Sequence, residues 1–286
     1  MVAAHTNQAV SKGGFAAILA RLLIWGILLV VALLVIIPLL WMLMSSLKVN
    51  QQFLSDPFGL PGTLFWQNYV DAWNLGVGRY MVNSVIVTLV SIIATTLISA
   101  WAAFGLTKLK IPFSRTVLFL IVGGMMLAPT VALIPLLGLL QSLGIYDSLL
   151  GLIILYTAFR IPFTTFLIRS YMVDLPGEVD EATLLDGCSR AQQFWRVTLP
   201  MSMPIIVSAV ILQCLFAWNE YLFAFIFVSS TDTMTLPVGL ANLASKLSTN
   251  YPMIFAGMTV ASTPMIVFFF AAQRFFVRGL AEGVGK

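Results

Sequence analysis

The sequence predicts an all-α membrane protein of six transmembrane helices with both termini in the cytoplasm, and three observations carry that prediction. Hydrophobic residues make up 60% of the 286 positions and charged residues only 9%, with a mean hydropathy of +0.99. A soluble domain carries about 25% charged residues, so this chain cannot cover its own surface with charge. Six separate apolar stretches run from Leu22 to Met44, Met81 to Leu106, Thr116 to Leu140, Ser148 to Ile168, Pro204 to Val228 and Ile254 to Phe275. Each reaches the roughly 20 residues that, at 1.5 Å of rise, cross about 30 Å of hydrocarbon. Lysine and arginine set the orientation: with the N-terminus inside, eleven of the fifteen fall on inner segments and only Lys48, Arg79 and Lys246 on outer loops. That is the positive-inside bias, which also accounts for the net charge of +4 without a nucleic-acid partner.

The segments follow in order. Residues 1–21 form a cytoplasmic tail holding His5 and Lys12. His5 is the only histidine, which excludes a histidine-based triad, metal cluster or proton relay. Span one, within 22–46, is expected to stay in the mature protein. Its apolar run exceeds the 7 to 15 residues of a signal peptide, and Ser45, Ser46, Leu47 and Lys48 follow it without a small-residue cleavage site. The outer loop 47–80 carries Trp66, Tyr69 and Trp73, suited to an interfacial belt or to a partner. Residues 81–275 form the core of the remaining five spans. Pro129 and Pro135 in span three and Pro264 in span six are expected to kink their helices. Arg160, in span four, is expected to pair with a carboxylate or to snorkel to a boundary. In span five, Trp218, Asn219 and Glu220 suit a solute path lined by aromatic and hydrogen-bonding groups, and equally suit polar contacts that hold helices together. Cys188 and Cys214 fall at different depths, so neither a disulfide nor a metal site follows.

The inner loop 169–203 is the most charged segment, with five of the eleven acids: Asp174, Glu178, Asp180, Glu181 and Asp186. Pro176 suits a first helical turn, the acids sit near its positive end, and Val179, Ala182 and Leu185 share a face. Gly187 then ends this helix. Ser189 and Gln192 fit a capping box, and Ala191, Phe194, Trp195 and Thr198 recur at helical spacing until Leu199-Pro200 stops a second helix. The loop therefore reads as two short helices joined by a hinge, either a docking element or an ordinary connector packed under the bundle. The end of the chain, Gly279 to Lys286, is not a nucleotide-binding P-loop. Its first glycine is one place off and no serine or threonine follows the lysine.

The segment Glu181-Ala182-Thr183-Leu184-Leu185-Asp186-Gly187, then nine residues, then Val197-Thr198-Leu199-Pro200, resembles the E-A-A-x-x-x-G-x9-I-x-L-P signature of ABC importer permeases. It departs from that pattern at Thr183 and Val197. Further matches are Asn83-Ser84, Ala217 to Glu220, Thr235 to Leu240 and Gln273 to Leu280. Together they resemble the six-span permeases of carbohydrate uptake, similar to the smaller membrane subunit of maltose transporters. The resemblance implies a type I ABC importer permease fold in a bacterial inner membrane. It implies that the inner loop docks on a cytoplasmic ATPase subunit through Glu181, Ala182, Thr183, Asp186, Gly187, Leu199 and Pro200. Glu181 would be the ion-pairing or capping contact and Gly187 the bend, and the tail 276–286, at Arg278 and Gly279, would be a second contact. The implied partners are a second homologous permease, two ATPase subunits that bind ATP and Mg, an external solute-binding protein and a carbohydrate. The chain itself would bind no cofactor and catalyse no reaction. The alternative is an ion- or proton-coupled carrier using Glu220; a membrane-embedded enzyme, with no histidine beyond the tail's His5, no metal cluster and no nucleophile elbow, is a more distant third.

Overall fold

The structure is a computed structural model that describes residues 9–109, 111–126, 128–247 and 249–284; the side chains of 9–16, 184 and 274–284 lie outside the description. Among the described residues every regular element is helical. Four helices are long and apolar enough to cross a membrane, and six spans result when each of two bent helix pairs counts as one.

Helix α1 (Ala9–Ser46) is apolar all round and buries none of its most apolar stretch against the rest of the chain. Among the described residues its buried and partly buried positions lie near its outer end, where Trp41 lies edge-on to Phe255 at 5.2 Å. Two short outer helices follow, α2 (Asn50–Ser55) and α3 (Gln67–Ala72). Lys48, expected among the outer loop charges, is fully buried. Its ammonium donates to the carbonyls of Asp56 and Pro57, each at 3.0 Å, and so pins the start of this loop.

A π turn at Trp73–Val77 leads into α4 (Gly78–Lys108), which is span two. The most extensive helix interface joins α4 to α7 (Leu149–Val173), span four. Ser84, Thr88, Ser91, Thr95 and Ser99 recur every three or four residues on the buried face of α4. Small polar side chains let two backbones approach where no hydrophobic driving force separates helix from lipid. Ser99 crosses the interface to donate to the Ile161 carbonyl. Ser148 caps α7, accepting from Gly151 N at 3.1 Å.

Span three, expected from Thr116 to Leu140 with kinks at Pro129 and Pro135, is broken outright rather than kinked. It consists of α5 (Ser114–Met125) and α6 (Leu133–Ser142), the latter entered through a 3-10 turn at Pro129–Ala132, and the two pieces are bent by 89°. Proline has no N–H for the preceding helix and forces its predecessor out of the helical region, and Ala128 is extended at φ −65° and ψ 128°. Pro129 therefore separates two helices, whereas Pro135 lies within α6 and Pro264 within the last helix, and both helices run on through them.

The inner loop forms α8 (Gly177–Leu185), α9 (Arg190–Gln193), a π turn at Phe194–Thr198 and α10 (Leu199–Met201). Leu199-Pro200 does not stop this helix as expected. Pro200 falls at the junction after the π turn, where a missing N–H is tolerated, and the 77° turn into span five comes at Ser202. Span five is itself interrupted: α11 (Met203–Trp218) ends before Asn219, and α12 (Leu222–Phe227) restarts after Tyr221. An outer helix α13 (Leu236–Lys246) precedes α14 (Tyr251–Val284), span six.

Candidate functional site

The two-helix inner element is built as its residue types dictate. Gly187 has φ +71°, and Cys188 N donates to Thr183 O at 3.1 Å, the bond that closes a Schellman ending of α8. The capping box at the start of α9 is complete: Gln192 N donates to Ser189 Oγ at 3.3 Å and Ser189 N to Gln192 Oε1 at 2.8 Å.

Placed in space, the motif residues divide. Glu181, Ala182, Asp186, Gly187 and Pro200 are exposed, Leu199 is half-buried, and Thr183 is buried with its hydroxyl donating to Asp180 O at 2.8 Å. Leu185 is 89% exposed and Ala182 is exposed, so among the described residues only Val179 of the apolar face predicted for α8 is partly covered. The second helix, by contrast, is anchored. Phe194 is fully buried, stacked on Trp101 of α4 at 4.2 Å and edge-on to Phe104 at 5.4 Å. Asp180 accepts from Lys108 Nζ at 2.8 Å and from Gln193 Nε2 at 2.9 Å. Sequence reasoning placed Asp180 only as a helix-start acid and missed Lys108 and Gln193. Nothing in the local pattern marks the pairing, because its partners lie on separate elements.

A second polar site lies among α4, α7 and the break in span five. Ser91, Thr95, Tyr156, Arg160, Gln213 and Glu220 line a cavity of about 20 Å³, the room of a single water molecule. Glu220 is not in mid-helix as expected but at the start of α12. Its carboxylate accepts from Phe223 N at 2.8 Å, Ala224 N at 3.2 Å and the Tyr156 hydroxyl at 2.7 Å. Arg160 neither leaves the bundle nor stands bare: its guanidinium lies 4.0 Å over the Phe216 ring. Trp218 and Asn219 do not join Glu220 at this cavity. Trp218 packs with Val77, Tyr80 and Leu236, and the Asn219 amide donates back to Leu215 O at 2.8 Å. Arg278 and Gly279 lie on the last turns of α14, where side chains are outside the description.

At the outer end, three segments are knotted. Asn83 Nδ2 donates to the carbonyls of Asp232 at 2.8 Å and Met234 at 2.9 Å, Leu236 N donates to Ser84 Oγ at 2.7 Å, and Arg79 pairs with Asp232. Asp147, left-handed at φ 53°, accepts from Ser229 N at 2.9 Å, Ser230 N at 3.1 Å and the Thr233 hydroxyl at 2.8 Å.

Residues 96–282 match the family described as binding-protein-dependent transport system inner membrane component. The chain is 42% identical to the probable ABC transporter permease protein YurM of Bacillus subtilis over 92% of its own length and 88% of that protein's. It is 34% identical to the diacetylchitobiose uptake system permease protein NgcG of Streptomyces coelicolor, over 92% and 86% respectively. Its fold matches a crystal structure of a bacterial ABC transporter involved in import of the acidic polysaccharide alginate, with a TM-score of 0.78 at 22% identity, covering 95% of this chain and 99% of that one. Six spans, an inner two-helix element carrying the E-A-T-x-x-x-G motif, and these likenesses converge: the chain belongs to the binding-protein-dependent transport system inner membrane components, as a multi-pass permease subunit of an ABC importer in the bacterial inner membrane.

Proposed function

We propose that this subunit passes a carbohydrate of the disaccharide or short oligosaccharide class, handed over by an external solute-binding protein, and that it works with a second homologous permease and two ATPase subunits. One observation carries the docking part of this reading: α8 turns Glu181, Ala182, Leu185 and Asp186 outward at the inner end of the bundle, exposed among the described residues. An exposed leucine flanked by acids fits a cleft with an apolar floor and basic rim on an ATPase surface. Gly187 sets the angle of the element, Leu199 and Pro200 carry its second arm back to span five, and the inner end of α14 near Arg278 and Gly279 is a second contact. ATP and Mg belong to the partner subunits, and this chain holds neither a cofactor nor a catalytic role. The substrate class is supported by the likeness to a permease named for diacetylchitobiose.

In this reading Glu220 stands beside the path as the cap of α12, and its water-sized cavity must open before a sugar can pass. The ion- or proton-coupled alternative is not favoured, since all three donors that reach Glu220 already hold it as a structural acceptor.

The test uses the assembled transporter in proteoliposomes with its binding protein and labelled di- to tetrasaccharides, beginning with diacetylchitobiose. Glu181→Lys is expected to leave the chain inserted and abolish ATP-dependent uptake. Unimpaired uptake by that variant would refute the dock, and uptake of none of the sugars by the unsubstituted transporter would refute the substrate class.

A further inference from the structure

The covalent joints at both ends of the inner element are bends. Helix α7 reaches α8 through Leu175-Pro176, and α10 turns by 77° into α11 at Ser202. A push on the element along either joint would be absorbed by the bend. The rigid attachments are non-covalent, and the polar and aromatic ones run to α4. Lys108, in the last turn of α4, places Nζ 2.8 Å from Asp180 Oδ2 and 3.4 Å from Leu175 O, and its side chain is only 8% exposed. The other oxygen of Asp180 takes Gln193 Nε2 at 2.9 Å, and Arg190 donates to Gln193 Oε1 at 3.0 Å. One carboxylate therefore joins the end of span two, α8 and α9, and Phe194 on Trp101 and Phe104 adds an aromatic anchor to the same helix.

Helix α4 runs unbroken for 31 residues, about 46 Å at 1.5 Å per residue. Its outer end grips the segment before α13 through Arg79, Asn83 and Ser84. We propose that Lys108 and Asp180 are positioning residues that lock the inner element to α4, and that α4 is the rod by which movement of that element reaches the outer segment 229–236. The inference rests on the docking reading above and adds the route that the movement takes. Removing either partner leaves the Phe194 anchor as the remaining aromatic hold on α4 and loosens α8 about the two bends.

The experiment uses the assembled transporter with Cys188→Ser and Cys214→Ala, and Thr231→Cys as an outer reporter, since Thr231 is exposed. The rate of fluorescein-maleimide labelling is compared between the nucleotide-free state and the ATP-plus-vanadate state. The unsubstituted pair is expected to show a clear difference between the two states. Asp180→Asn and Lys108→Met should each shrink that difference about tenfold, the size of an ordinary coupling between sites, while ATPase subunits still co-purify in normal ratio. Lys108→Arg should retain it, and the double variant should do no worse than either single one, because both break the same lock. The proposal is overturned by a full difference in both single variants, by additive losses in the double variant, or by no difference at position 231 with the pair intact. Loss of ATPase co-purification in Asp180→Asn or Lys108→Met would overturn it too, by making the pair part of the docking surface. Failure of the docking reading is separate: it appears as ATPase subunits and uptake undisturbed by Glu181→Lys.

Discussion

Gly187 offers a clean separation of backbone conformation from packing. Its φ is +71°, yet a Cβ there would meet no atom within 4 Å, so space does not select glycine. What selects it is the left-handed backbone, where an L side chain costs about 1–2 kcal/mol and a β-branched one more. The bond from Cys188 N to Thr183 O, 3.1 Å long, forms only while Gly187 keeps this conformation, and its loss adds about 1 kcal/mol. Gly187→Ala should therefore weaken the bend by about 1 kcal/mol and Gly187→Val by about 2–3 kcal/mol. Gly187→Asn should cost less than either, because Asn visits this region readily. At about 1.4 kcal/mol per tenfold, the valine variant holds the bent form roughly 30- to 100-fold less than glycine does. The assay is retention of ATPase subunits on a resin that captures this chain, titrated against ATPase concentration. The expected order of retention is Gly, then Asn, then Ala, then Val. Equal retention by the valine and asparagine variants would refute the conformational argument, since both add a side chain of comparable bulk into open space.

Two further predictions concern the polar sites. Glu220→Gln keeps one acceptor, for Phe223 N, but turns an amide nitrogen toward both the Tyr156 hydroxyl and Ala224 N, so the purified complex should lose about 1–3 kcal/mol of stability in thermal unfolding. An unchanged midpoint would refute the capping role, and uptake that lost all pH dependence in this variant would favour a proton site instead. At the outer knot, burial pushes the Asp147 carboxyl up, but hydrogen bonds from Ser229 N, Ser230 N and the Thr233 and Ser230 hydroxyls outweigh it and hold it below its ordinary value. A carboxyl depressed in the folded state contributes stability that is complete above its unfolded value and is lost as pH falls through its folded value. Amide exchange at Ser229 and Ser230, corrected for its intrinsic pH dependence, should therefore lose protection only on acidification below about pH 4, and Asp147→Asn should remove that dependence. Persistence of the same pH dependence in Asp147→Asn would assign it to another group.

How much of this was legible in the sequence depends on the range of the interaction that sets each feature. The spans were, because about 20 apolar residues in a row are a local property. So were the end of α8 at Gly187 and the capping box of Ser189 and Gln192, whose bonds close within a few residues. The break in span three was legible as a position, Pro129, but not as an 89° turn, since hydropathy is the same for a bent and a straight span. The break in span five was not legible at all. No proline marks Asn219 to Tyr221, and the restart of α12 leans on a glutamate whose third donor comes from another span.

The same distinction explains why the partners of the isolated charges were not legible. In an apolar chain a lone charge in mid-span demands a partner because its desolvation is costly, and the sequence leaves open whether that partner is a solute or another part of the bundle. Here backbone and aromatic groups meet much of that demand. Lys48 is buried on two carbonyls, and the half-buried Glu220 and Arg160 rest on two N–H groups and a phenol and on a ring face respectively. The carbonyls at Lys48 and the N–H groups at Glu220 are available because helices end or restart beside them, which frees backbone groups that an unbroken helix would keep for itself. Acceptor and break are thus one feature seen from two sides: Glu220 caps the restart of span five, and the interruption supplies two of the three donors to its carboxylate. A permease that must open and close gains from this arrangement, because the pieces of a broken span can move about the break while each keeps its own hydrogen bonds.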